Sequence, residues 1–344
     1  MAVFHLVVAM AGGSLNAQDS RATDRGVPSV VLRGERLGMA SLRFPTSIAS
    51  VGAFVVVCDT EMDTIGFVIR KSSGRIVARF GPRSDGAMRI VAPVSIIADS
   101  DNETSFWVVD GALHRALRYR VVSIEGALTP DSILLFAVPG QAPVTSAFRD
   151  TDGSFVLTGF FDGPRFLRIA VNGSVTPFGP QATGSTRVPA TVRQHAFQTS
   201  LTRHVSESGF AAATRFSDRL EVFASNGVAV SKAARSRGFD PVYDVVVTSQ
   251  GPRMRPSANM RYAYLSITAH DAGVLALYSG RTSVEAPGRS WAGAIVESYG
   301  WDAQRRAAFA LDKDVVAIAA ENDGRVLYGV VHGQSPGILR FVLR

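Results

Sequence analysis

The sequence predicts an all-β protein built from one repeated, four-stranded antiparallel unit, and three observations lead there. Pro45 to Gly81 reads as four short apolar runs separated by turns: Thr46–Ala49, Phe54–Asp59, Thr64–Arg70 and Arg75–Phe80. The pattern then returns at steady spacing, with units opening at Pro45, Pro93 and Pro143, 48 and 50 residues apart. Thr46-Ser-Ile-Ala in the first unit matches Val94-Ser-Ile-Ile in the second, and FVVVCD matches FWVVD. The third observation is a shortfall: the last unit ends one strand short, while a lone strand, Pro28–Arg33, stands unpaired near the start. A period of about 50 residues with four strands per unit belongs to the blades of a β-propeller. The prediction is therefore a six-bladed β-propeller whose last blade is closed by the N-terminal strand.

In chain order, residues 1–17, MAVFHLVVAMAGGSLNA, read as a secretory signal: an apolar run, then small residues. A polar leader fills 18–27, and the propeller is expected to occupy 28–344. The six blades are expected at approximately 44–81, 92–139, 142–180, 197–233, 261–311 and 314–343, the last joined by strand 28–33. The connection Arg235–Arg261 holds one extra strand candidate, Val242–Thr248, and Arg281–Trp291 is an insertion inside the fifth unit. Closure by 28–33 follows from the cost of leaving strand edges unpaired.

Composition narrows the function classes. The formal net charge is +7, yet Lys71, Lys232 and Lys313 are the only lysines, and the arginines are scattered singly. A nucleic-acid binder would cluster them or interleave them with stacking aromatics, so no nucleic-acid partner is expected. The apolar run at the start is too short for a comfortable membrane span. Cys58, the single cysteine, lies in the apolar run Phe54–Cys58 and reads as a buried thiol. No cysteine near the signal could carry a lipid anchor. The chain is expected to be exported, periplasmic or extracellular, and monomeric.

The units resemble the TolB-like six-bladed β-propellers, exported bacterial proteins related in blade pattern to NHL repeats. The stretches that carry the resemblance are Tyr262–Thr282, YAYLSITAHDAGVLALYSGRT, and Tyr299–Leu311, YGWDAQRRAAFAL, with the closing VVAIAAENDGRVLYGVV and GILRFVL. The resemblance covers residues 28–344 and implies a fold. The family is largely of unknown function and brings no agreed catalytic residues to carry over.

Chemistry is expected where loops joining second to third strands gather on one face. Those loops offer Asp59, Glu61 and Asp63, then Asp110 and His114, Asp162 and Arg165, Arg215 and Asp218, Arg281 and Arg289, and finally His332. Three acids in DTEMD could present oxygens to calcium. Against that, aspartates at strand ends bond local backbone N–H groups, and the recurrence of Asp59 and Asp110 favours this structural role. The six histidines show no H-x-H or H-E-x-x-H spacing, and neither a G-x-S-x-G elbow nor a Walker loop occurs. Aromatics at Phe54, Trp107, Phe155, Phe210 and Tyr278 are expected to pack between blades. The leading expectation is a module binding a small ligand, glycan or protein partner, with no cofactor. The competing one is a hydrolase or lyase with a metal or acid/base site in the central funnel, tested first at Asp59, Glu61, Asp162 and His332.

Overall fold

A computed structural model describes residues 30–343 apart from 39–41, 85, 101, 123–125, 182–183, 236 and 250. The signal segment 1–17 and the leader 18–27 lie outside the described residues. The described chain forms six antiparallel blades, each a meander running from an innermost to an outermost strand.

Blade 1 consists of Pro45–Val51, Phe54–Asp59, Thr64–Arg70 and Ile76–Pro82. Blade 2 has Pro93–Ala98, Ser105–Asp110, Arg115–Arg120 and Ser132–Leu135. Blade 3 has Val144–Arg149, Phe155–Gly159, Pro164–Ile169 and Val175–Gln181. Blade 4 has Thr199–Arg203, Phe210–Thr214, Leu220–Phe223 and Ala229–Lys232. Blade 5 has Tyr264–His270, Gly273–Tyr278, Gly293–Tyr299 and Arg305–Val315. Blade 6 has Ala317–Ala320, Val326–Val331 and Gly337–Val342, completed by Glu35–Arg36. The innermost strands touch one another in sequence, and Ala317–Ala320 touches Pro45–Val51, so the ring is closed.

The core is divided into apolar wedges between blades. Val56, Phe80, Phe106 and Tyr119 fill the gap between blades 1 and 2, and Trp107, Phe155 and Leu167 that between 2 and 3. Phe166, Phe210 and Phe223 lie between blades 3 and 4, and Val222, Tyr264 and Tyr278 between 4 and 5. Leu275, Val296 and Phe341 join blades 5 and 6, and Val57, Phe67 and Tyr328 join 6 to 1. Because each blade has a neighbour on both faces, a second strand is buried along its whole length, as Phe54–Asp59 and Ser105–Asp110 are. That is why these strands read as continuous apolar runs without alternation. Cys58 sits in the first wedge, where burial pushes its thiol up to about 12.

Serines on the innermost strands tie neighbouring blades together at the axis. Ser95 Oγ accepts from Ala147 N (2.9 Å), Ser146 Oγ from Leu201 N (3.0 Å) and Ser266 Oγ from Ile318 N (3.2 Å). Each serine lies just after a β-bulge, which turns it toward the next blade. Of the two serines in the aligned tetrapeptides, Ser95 is thus a joint between blades, while Ser47 Oγ is buried without a hydrogen-bond partner among the described residues.

Closure differs from the sequence expectation in its register. The strand that completes blade 6 is Glu35–Arg36, paired antiparallel with Arg340 and Leu339, and not strand 28–33. The described part of 28–33, Val31–Leu32, instead pairs parallel with Ala310 and Leu311 on the outer strand of blade 5. The reason is physical: Arg305–Val315, at eleven residues, offers a free edge, and Leu32 fills the wedge between blades 5 and 6. Leu37 N then bonds Ile338 O (2.9 Å), and the Arg36 guanidinium reaches the carbonyls of Ser335 (3.2 Å) and Pro336 (2.7 Å). Beyond the clasp, Gly38 (φ 69°) crosses Gly74 (φ 65°) so closely that a Cβ on either would strike the other's backbone. Two further segments depart from simple blades. Ala127–Leu128 pairs parallel with Arg79 and Phe80 of blade 1 before the chain returns to complete blade 2. The extra strand candidate forms a hairpin, Tyr243–Thr248 with Gly251–Pro256, packed on the helix Ala190–Ala196.

Removing residues 30–37 should lower the melting temperature by about 5 °C or more, since clasp and wedge contacts go together. Leu37→Ala alone should cost about 2–4 kcal/mol in urea unfolding. An unchanged melting curve in the truncated protein would show that the ring does not depend on this closure.

Candidate functional site

Every blade begins at its innermost strand, so the six strand starts gather at one end of the axis and the six ends at the other. Between them runs a channel of about 1110 Å³ bounded by all six innermost strands. At the starting end, Pro93, Val94, Val144, Leu265 and Val316 form an apolar collar, interrupted by Thr46, Gln198 and Arg215. The opposite end is lined by charges of both signs, several of them paired. Asp99 holds Arg118 (2.7 Å) and Arg149 (3.1 Å), while Glu321 holds Lys71 (3.2 Å) and the Tyr328 hydroxyl (2.9 Å).

Arg215 follows the second strand of blade 4, at a position with the same backbone bond in five blades. Thr60 N, Gly111 N, Phe160 N, Arg215 N and Ser279 N each donate to a carbonyl at the start of their own innermost strand, at 2.7–3.2 Å. Among these five residues, only Arg215 is charged. Its Nε is sealed from solvent and has no hydrogen-bond partner, and no described carboxylate pairs with it. Burial lowers its pKa from the ordinary arginine value, with the Tyr262 phenol opposing the shift. Thr46 Oγ1, across the ring in blade 1, is also buried without a partner.

The other residues expected at the site are distributed over the face and mostly engaged. Asp59 is fully buried, and its oxygens accept from the backbone N–H groups of Arg43 (2.6 Å), Phe44 (3.0 Å) and Glu61 (3.0 Å). Asp110 does the same for Val91, Ala92, Ala112 and Leu113 at 2.9–3.2 Å. Both pin the connection from the preceding blade, which explains their recurrence. Glu61, Asp63 and Asp162 are exposed. His114, in the left-handed region (φ 46°), donates to Ala142 O (3.0 Å) and lies 3.1 Å from Gln141 Oε1. Asp218 accepts from Arg235 Nε (2.8 Å) and from the N–H groups of Arg237 (2.9 Å) and Gly238 (2.7 Å).

Arg165 faces a separate groove of about 530 Å³ between blades 3 and 4, where it meets Glu221 (2.5 Å) and Thr199 Oγ1 (3.1 Å). Burial would raise the Glu221 carboxyl, but Arg165, seconded by Lys232, outweighs it and holds the group below the usual carboxylate range. Arg281 is bidentate on Asp314 (2.6 and 2.8 Å), and Arg289 is exposed. His332 donates to Pro45 O and sits against Phe44 (4.2 Å between rings) and Trp291 (4.9 Å). That aromatic group brings the insertion of blade 5 beside the seam between blades 6 and 1. The aromatics Phe54, Trp107, Phe155, Phe210 and Tyr278 are buried, and Trp107 meets Phe155 edge-on at 5.2 Å. Among the described residues, no group of three or more His, Cys, Asp or Glu side chains is arranged to hold a metal ion.

Sequence reasoning missed one buried network. Glu297, fully buried, accepts from the hydroxyls of Tyr264 (3.1 Å) and Tyr299 (2.7 Å) and pairs with Arg237 (3.0 Å) and Arg305 (3.2 Å). The signal was present in AIVESY, where a glutamate interrupts an apolar strand.

No protein-family profile matches the chain, and no curated protein matches it in sequence. Many solved structures share its fold. A member of the DUF4221 family from Bacteroides vulgatus is similar at TM-score 0.59 and 10% identity, over 91% of this chain and 98% of that one. Virginiamycin B lyase from Staphylococcus aureus is similar at TM-score 0.52 and 13% identity, over 91% and 100%. Chaetomium thermophilum Raptor reaches TM-score 0.54 at 10% identity, and there the chain spans only 29% of the longer protein. At these identities the likeness is one of fold alone. No helix among the described residues is long and apolar enough to cross a membrane.

The Glu221 pair carries a pH signature. A carboxyl with a depressed folded-state pKa contributes stability above its unfolded value, about 4.3, and loses it as pH falls through the folded value. Glu221→Gln should therefore cost about 1–3 kcal/mol near neutral pH and flatten the acid limb of stability against pH, measured by urea unfolding. An acid limb of unchanged slope would remove Glu221 from the account.

Proposed function

We propose that the protein is a ligand-binding propeller, TolB-like in blade pattern, whose binding site is the central channel at the collar end. The observation that carries this reading is the channel itself. At about 1110 Å³ it is of the size that encloses a small organic ligand, and its mouth combines an apolar wall with a few convergent polar groups. Export, the reading of residues 1–17, would put that ligand outside the cytoplasm.

The enzyme reading draws on fold likeness to a lyase, and fold does not carry chemistry with it. A hydrolase or lyase needs an acid and a base free to exchange protons near one point. Of the residues first in line, Asp59 is committed to backbone N–H groups, Asp162 and Glu61 are exposed, and His332 is held against Pro45 O. Binding is the function this arrangement supports best.

The test is a thermal-shift screen of small metabolites against the wild type and two channel-filling variants, Ala98→Trp and Val316→Trp. Both positions line the channel, at opposite ends. Any compound that stabilises the wild type should bind at least about tenfold more weakly to a folded variant, the equivalent of about 1.4 kcal/mol. A stabilising compound indifferent to both substitutions would move the site out of the channel.

A further inference from the structure

We propose that the channel mouth binds an oxyanion, the carboxylate or phosphate group of a small ligand, with Arg215 as its partner. This rests on the channel being the binding site and adds the chemical class of what it takes.

Several other buried or half-buried arginines find partners within the chain. Arg165 has Glu221 and Thr199, Arg237 and Arg305 share Glu297, and Arg281 has Asp314. Arg115 and Arg193, without a carboxylate, donate to two backbone carbonyls each, those of Ala87 and Arg89 and those of Ser185 and Val188. Arg215 has neither kind of partner among the described residues. Of its three side-chain nitrogens only Nε is sealed off, so the two Nη groups are the ones open to the channel. A guanidinium turned into an apolar collar loses hydration, and nothing among the described residues replaces it. The planar fork it presents is the geometry that carboxylates and phosphates accept in pairs of parallel hydrogen bonds.

The rest of the ring points the same way. The backbone bond that fixes Arg215 is made identically by Thr60, Gly111, Phe160 and Ser279, so holding this turn does not require arginine. Small polar or apolar residues suffice in four other blades. A formal charge at one of the five blades that share this bond breaks the ring's symmetry at its mouth, as a ligand with one charged end requires. Of the charged residues that line the channel, Arg215 is the one at the collar and the others, of both signs, stand at the far end, so its charge also sets an orientation. The anionic group lies at the collar, and the rest of the ligand extends along the wall of strand edges and hydroxyls.

An unpaired guanidinium kept for a ligand should cost stability in the free protein, and this makes the inference testable without knowing the ligand. The experiment compares wild type, Arg215→Met and Arg215→Lys by melting temperature, ligand-free and with sodium phosphate or sodium succinate at constant ionic strength. Expected without ligand is a melting temperature for Arg215→Met at least about 2 °C above wild type. Expected with ligand is a saturable rise in the wild type, about 3 °C at a tenfold excess over the dissociation constant, for at least one of the two anions. The rise should vanish in Arg215→Met and survive in weakened form in Arg215→Lys. A response to phosphate alone assigns a phosphate ester, and a response to succinate alone assigns a carboxylate. The inference is overturned if neither anion shifts the wild type, if Arg215→Met responds equally, or if it melts well below wild type while Arg215→Lys does not. If neutral compounds that lose affinity on Val316→Trp still bind Arg215→Met unchanged, the channel remains the site and only its preference for anions fails.

Discussion

Each blade of this protein is a sheet with two apolar faces, and a blade cannot cover either face by itself. That constraint governs the rest. Wedges of aromatic and branched side chains fill the gaps between neighbours, and the wedge between blades 6 and 1 exists only if the ring closes. Covering both faces of every sheet is what removes the exposed apolar surface that an open stack would leave at its ends. The N-terminal segment meets this need in two steps, adding Leu32 to the wedge between blades 5 and 6, and Leu37 to the wedge between 6 and 1. Its chief contribution is therefore packing at two seams, with few ladder bonds: Val31–Leu32 and Glu35–Arg36 are only two residues each.

Closure creates the channel, and it also sorts the polar residues into two kinds. Polar groups that recur from blade to blade serve the ring. Ser95, Ser146 and Ser266 join innermost strands, and Asp59 and Asp110 pin the incoming connection. Each is satisfied within the protein, as burial requires. Polar groups that do not recur have other reasons to be there. Glu297 is consumed by two tyrosines and two arginines and stabilises the inside of blade 5. Arg215 sits on a backbone position shared by five blades but carries a side chain that the other four do not repeat, and it is left without a partner among the described residues. The repeat supplies the frame against which that exception can be seen.

The blades, their order and much of their strand content were legible in the sequence, because continuous apolar runs and turn residues are local signals. The run Phe54–Cys58 had to be a doubly buried strand whatever lay beside it. The weaker outer strands were harder: Ser132–Leu135 is largely exposed, so burial left little pattern there. The register of the clasp was also hidden. Choosing between residues 28–33 and Glu35–Arg36 depends on where the edge of blade 5 lies when the chain passes it, and that edge is set by strands almost 280 residues away in sequence, as the bond from Gly34 N to Asp312 Oδ1 shows.

The sequence by itself determined a ring of antiparallel blades and the structural duty of its repeating aspartates, since periodicity and recurrence are properties of a linear chain. It named Arg215 among the loop residues but gave no reason to prefer it to Asp110, His114 or Asp218. Only the tertiary structure made that choice. Whether a charged side chain is satisfied depends on neighbours brought together from other blades, and ring closure decides which of them arrive. Asp218 received Arg235 and two backbone N–H groups. Arg215 received an apolar collar.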